Sequence, residues 1–157
     1  MVDPIKLKFS GHQTFPMRHG WLKKVINELS NNSELNKINI FSADDSIAKF
    51  GVGKNMVESM GYWATACDVI EDNKQVVTQL GEYIFCNETG VDQYLEDEAT
   101  LWLLHWQLTK RLAPCTTWHF GFHHFSRAAF EREQLENAVR DYAIEREDRE
   151  PNRNTLS

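Results

Sequence analysis

The chain has 157 residues, the size of one compact domain, with 41% hydrophobic residues and a net charge of −6. It holds no apolar run of about 18 residues, which excludes a membrane-spanning helix. The start, Met1-Val2-Asp3-Pro4-Ile5-Lys6, lacks the basic-then-apolar order of a signal peptide. Three widely spaced cysteines, Cys67, Cys86 and Cys115, form no disulfide framework, so a reducing cytoplasm is the expected compartment.

Charge is distributed unevenly. Residues 1–60 hold 8 Lys/Arg against 6 Asp/Glu, residues 61–125 hold 3 against 9, and residues 126–157 hold 6 against 8. Phosphate contacts need Lys and Arg, so any nucleic-acid face belongs to the first 60 or so residues.

In chain order, Phe9-Ser10-Gly11-His12-Gln13-Thr14-Phe15-Pro16 reads as a loop or short strand. The spacing of Trp21, Leu22, Val25, Ile26 and Leu29 predicts a helix over 18–29, broken at Asn31-Asn32-Ser33. After Phe41, Ser42-Ala43-Asp44-Asp45 offers a cap and first turn for a short helix to Phe50. Gly51-Val52-Gly53 is a tight turn, and a longer helix is expected over 54–67 with Met56, Met60, Trp63 and Cys67 as its buried stripe. Short helix, glycine turn and longer helix make the helix-turn-helix order.

Asp68-Val69-Ile70-Glu71, a polar turn at Asp72-Asn73-Lys74, and Gln75-Val76-Val77-Thr78 then form a wing-sized β-hairpin pattern. Residues 80–85 follow as a short helix. Beyond lie a helix over 98–112, apolar nearly all round and so expected to be deeply buried, and a helix to Phe125 capped by Thr116 or Thr117. An amphipathic helix over 131–147 turns Leu135, Ala138, Val139 and Tyr142 inward. The expected fold is mainly α: a winged helix-turn-helix over 1–87, a helical extension packed on it over 88–148, and a polar linker over 149–157 that reads as the start of something longer.

A recognition helix places its early outward residues in the major groove. Here these are Lys54, Asn55, Glu58, Ser59 and Tyr62, of which Lys54, Asn55, Ser59 and Tyr62 are the candidate base contacts. Lys49, Lys74, Arg18, Lys23 and Lys24 are candidate phosphate contacts. His12 reads either as part of a phosphate-binding arm or as a hydrogen-bonded piece of the fold.

Three stretches carry a family resemblance: Phe9-Ser10-Gly11-His12-Gln13-Thr14-Phe15 with Arg18 and Trp21-Leu22-Lys23-Lys24; Gly51-Val52-Gly53-Lys54-Asn55-Met56-Val57 with Tyr62-Trp63; and Tyr94-Leu95-Glu96-Asp97 leading to Leu101-Trp102-Leu103-Leu104-His105-Trp106. In this order they resemble the bacterial domain-of-unknown-function family DUF4007 over most of residues 9–147. Genes of that family often sit beside Dnd-type DNA phosphorothioation and restriction clusters. The resemblance implies an accessory role in DNA modification or phage defence, with no established chemistry, in a protein that continues past Ser157. His119, Phe120 and His123-His124 depart from the mostly aromatic stretch of the family at this point.

Catalytic signals are absent from the sequence: it has no nucleophile elbow, phosphate-binding loop or HExxH motif. Cys115, His119 and His123, at steps of four, are a minor metal candidate set; the competing role is packing with Trp118, Phe122 and Phe125. Glu96, Asp97 and Glu98 suit a helix N-terminus, or half of a nuclease site. The expected protein is therefore a DNA-binding accessory module without cofactor. Its partners would be double-stranded DNA, phosphorothioated or not, and proteins of the same complex. The alternative is a protein-interaction adaptor, docking through residues 88–98 or 131–150.

Overall fold

The computed structural model describes residues 6–31, 39–42, 45–71 and 76–147. Among them are seven helices: α1 (Trp21–Asn31), α2 (Ser46–Phe50), α3 (Lys54–Ala66), α4 (Gln79–Phe85), α5 (Glu98–Lys110), α6 (Thr116–His123) and α7 (Arg132–Glu147). The protein is mainly α, as expected. The Ala43-Asp44 part of the expected cap, the turn with Lys74 and the linker at 149–157 lie outside the described residues.

Contacts divide the chain into two units. Gly11–Gln107 forms one; the segment through Ser10 joins Leu108 onward in the other. This differs from the expected boundary at 87/88. Residues 90–94 belong to the first unit because they fold back on the end of α4 and on the turn before α1. The Val91 amide donates to the Tyr83 carbonyl at 3.0 Å, the Asp92 amide to Ile84 at 3.2 Å, and His19 Nε2 to the Tyr94 carbonyl at 2.6 Å.

In the first unit, α3 packs against α1 and α2, and α4 against α1. Helix α1 starts at Trp21 rather than at residue 18 because Gly20 sits at φ 79, outside helical space. It buries Trp21, Leu22, Val25 and Ile26. Phe50 closes α2 and stacks on Phe41, ring centroids 5.8 Å apart. Gly51 at φ 61 ends α2 in the left-handed conformation that glycine adopts without strain, its amide bonded to the Ile47 carbonyl at 2.8 Å. The expected side-chain cap of α2 is not made, since Asp45 caps without a side-chain bond.

After α3, Ile70 and Val77 form an isolated antiparallel bridge. It is flanked by bonds from the Glu71 amide to Val76 and from the Thr78 amide to Val69. Among the described residues no longer ladder follows. Thr78 does not extend a strand; it caps α4, its hydroxyl accepting from the Gly81 amide at 3.0 Å.

Helix α5 corrects the expectation of deep burial. Thr100, Leu104, Gln107, Leu108 and Thr109 are its buried positions, but Trp102 is 70% exposed and Trp106 56%. Apolar residues all round a helix do not dictate burial all round; neighbours cover only one side of α5.

In the second unit, the 6–10 segment and α6 pair by two bonds: the Lys8 amide donates to Thr116 Oγ1 at 2.8 Å, and the Thr116 amide to the Lys8 carbonyl at 3.1 Å. Thr116 is therefore the first residue of α6 and not its cap, a place taken by Cys115. Helix α6 packs on α7, with the Phe120 and Tyr142 rings 4.9 Å apart and Val139 and Ala143 buried.

Candidate nucleic-acid interface

The short turn from α2 into α3 sets the candidate surface. Gly53 is extended, at φ −63 and ψ 157, and its carbonyl accepts from the Met56 and Val57 amides, so α3 begins abruptly at Lys54. Lys54 and Asn55 are both exposed on this first turn. A helix N-terminus carries partial positive charge from its free amides, which favours an anion beside it.

One turn further on the surface closes. The loop 12–15 lies over α3. The His12 ring meets the Tyr62 edge at 5.7 Å and stacks on Trp63 at 6.0 Å. Gln13 Nε2 donates to Glu58 at 2.8 Å. The Phe15 carbonyl accepts from Trp63 Nε1 at 3.0 Å and from the Ser59 hydroxyl at 3.4 Å. Ser59 is 0% exposed, so the expectation that it faces DNA bases is corrected. Tyr62 is half-buried against His12. His12 is held against α3 by these ring contacts.

The loop itself holds an unusual conformation. Gln13 and Thr14 have φ 49 and 63, and the Phe15 amide donates to the His12 carbonyl at 2.8 Å. Two positive φ values in a row are what a type I′ turn requires, and Asn-Gly supplies them without strain, whereas a β-branched Thr does not. The turn is held by the bonds that Gln13 and Phe15 make to α3.

The candidate phosphate contacts separate in the same way. Lys23 is 7% exposed, and its Nζ donates to the Phe85 carbonyl at 2.7 Å and to Asn87 Oδ1 at 2.6 Å. It ties α1 to the end of α4 and is buried there, so its assignment to phosphate is corrected. Burial pushes its ammonium below the usual lysine range, opposed by the nearby Cys86 thiol. Lys24 Nζ donates to the Phe50 carbonyl at 2.8 Å, at the carbonyl end of α2 where a cation is favoured. Lys49 pairs with Asp45 at 2.8 Å along α2; the hydrogen bond from Lys49 holds the Asp45 carboxyl below its usual range. Arg18 is exposed, its guanidinium about the faces of Phe15 and Trp21 at 6.0 and 5.7 Å.

The acid cluster before α5 is a helix start. Asp92 accepts from the Glu96 and Asp97 amides at 2.9 and 3.1 Å, and Asp97 from the Ala99 amide at 2.8 Å. Burial pushes the Asp92 carboxyl up, but these amides and the Thr100 hydroxyl outweigh it and leave it below the usual range. Among the described residues no group of three or more His, Cys, Asp or Glu is placed to hold a metal ion. Cys115 is buried, and His119 Nδ1 donates to the Thr109 carbonyl at 2.8 Å.

Two solved structures are similar to the chain: a magnesium ion-bound SspB crystal structure (TM-score 0.76) and an SspB crystal structure (TM-score 0.75). Each is 29% identical and matches 95% of this chain and 46% of its own, so the chain spans about half the length of those proteins. No curated protein matches the chain. The family model of DUF4007, a protein of unknown function, matches residues 9–157, and the chain belongs to that family.

Proposed function

We propose that Gly11–Gln107 is a winged-helix module that binds duplex DNA through the first turn of α3. It would act in the cytoplasm as an accessory part of a DNA phosphorothioation or restriction system in phage defence. The observation that carries this is the pair Lys54 and Asn55, both exposed on the first turn of α3. Lys can hold a phosphate or guanine, and Asn pairs with adenine. Further support is the order of elements: α2, a glycine turn, α3, then the antiparallel bridge of Ile70 and Val77 where a wing belongs.

Arg18 and Lys24 are the phosphate contacts that remain, with Lys49 able to exchange Asp45 for a phosphate. The module carries out no catalytic step in this proposal. Anisotropy of a short labelled duplex, with and without phosphorothioate linkages, tests it at two salt concentrations. Binding that weakens with salt, and that drops in the protein carrying Lys49→Glu and Lys54→Glu, is expected. Equal affinity for that variant would overturn the assignment. A preference between the two duplexes would tie the module to the modification itself.

A second function has its own supporting observation. Trp102 and Trp106, one turn apart on α5, are more than half exposed, and aromatic residues are enriched at protein interfaces. In this adaptor function the fold docks a partner protein without touching DNA. Absence of duplex binding at low salt, with co-purification of a protein encoded by a neighbouring gene, is its expected signature.

A further inference from the structure

Between Glu98 and Glu131 the sequence holds no Asp or Glu, in a chain of net charge −6. The second unit takes up 108–130 of this stretch, which carries Lys110, Arg111, Arg127 and three histidines, His119, His123 and His124. Local charge is thus opposite to that of the whole protein. It falls outside the winged-helix unit, and neither the candidate recognition helix nor the acid cluster uses it.

Helix α6 gives that stretch a shape. Thr116 and Phe120 are its buried positions. Trp118 and Phe122, one turn apart, lie on another face, 39% and 60% exposed. Their rings are parallel within 1°, centroids 6.1 Å apart. Beside them runs a second stripe, His119 and His123, rings 4.7 Å apart. The Thr109 carbonyl accepts from His119, which brings the backbone just before the half-exposed Lys110 against α6. Arg127 is exposed just beyond the helix.

We propose that α6 and the segment after it bind a single-stranded polynucleotide, with Trp118 and Phe122 stacking on bases and Lys110 and Arg127 holding phosphates. Parallel exposed rings, in a stretch whose charged side chains are all cations, are what non-specific single-strand binding requires. Every base has a face to stack, and the backbone is an anion throughout. A duplex hides those faces, so this surface selects the unpaired strand. The rings call for a flat partner, and the charge independently calls for an anionic one. A polynucleotide is both.

The test uses the full chain and labelled oligo-dT and oligo-U in anisotropy, against the duplex used for the winged helix. Salt-sensitive binding of oligo-dT or oligo-U is expected, weakened about tenfold or more by Trp118→Ala with Phe122→Ala. Duplex affinity should stay where it is in that variant. The two oligonucleotides decide whether the strand is DNA or RNA. Arg127→Glu, an exposed single change, guards against a double variant that fails to fold and should weaken the same binding. Absence of binding to both oligonucleotides, or binding that none of these changes reduces, would overturn the proposal and leave the rings to a protein partner. Failure of the Lys49 and Lys54 experiment leaves it standing, because the residues are in different units.

Discussion

The indole N–H of Trp63 donates to the carbonyl of Phe15 over 3.0 Å, fastening the loop 12–15 across the middle of α3. That bond, with His12 on the same indole face and the Gln13 and Ser59 bonds beside it, leaves the first turn of α3 open. Trp63→Phe keeps an aromatic ring but removes the donor and part of the buried indole volume. The part-buried carbonyl then keeps only the longer Ser59 bond, and with the lost volume this should cost about 1–3 kcal/mol in urea unfolding. An unchanged midpoint would mean that the loop is held by other contacts.

Lys23 provides a second check, because its burial contradicts the role its sequence suggests. Lys23→Met keeps the aliphatic stem and removes the bonds to Phe85 and Asn87. The loss should be about 1–3 kcal/mol, the cost of leaving a buried carbonyl without a donor. Duplex affinity of the folded variant should not move. A drop in affinity without a drop in stability would return Lys23 to the surface.

Gly81 lies where α4 crosses the segment after α3. A Cβ there would sit 2.3 Å from the Val69 carbonyl oxygen and 2.9 Å from Val77. The first of these is backbone and cannot rotate away. Gly81→Ala is expected to destabilise by about 3 kcal/mol or more, or to yield insoluble protein. Thermal melting near the wild-type value would show that the bridge of Ile70 and Val77 yields easily.

His124 is expected to make stability depend weakly on pH, since the residue is exposed. Burial pushes its pKa down, and positive charge from His119, Arg146 and His123 pushes it the same way. Its ring lies against those of Phe120 and Tyr142. With the folded pKa below the unfolded one, the unfolded chain takes the proton first. Stability is therefore full above the ordinary imidazole range near about 6.5 and falls as pH drops through it toward the folded value. His124→Gln should flatten Tm against pH across that window. A profile of the same slope would place the titration elsewhere.

Local signals made much of the fold legible. The 3.6-residue spacing of Trp21, Leu22, Val25 and Ile26 gave α1, and Gly51-Val52-Gly53 gave the turn before α3. The sequence could not show which side of a helix another segment covers. Ser59 looks outward by its position on α3 and is buried because residues more than forty positions earlier fold over it. Lys23 looks like the solvated face of α1 and is buried because Phe85 offers it a carbonyl. Helix α5 failed for the opposite reason: with apolar residues on every face, periodicity cannot say which face lacks a neighbour. The contrast between an acidic chain and its acid-free stretch was present in the sequence. It gained meaning only once Trp118 and Phe122 were seen side by side on one face.

The central claim is that DNA meets α3 only at its first turn. Anisotropy with one duplex, comparing Lys54→Glu with Ser59→Ala, tests it most directly. The account predicts that Lys54→Glu weakens binding and lowers its salt dependence by the equivalent of about one phosphate contact, while Ser59→Ala binds as the wild type does. Equal loss in both variants, or loss with Ser59→Ala alone, would contradict it, because α3 would then have to reach DNA through the face that the loop covers.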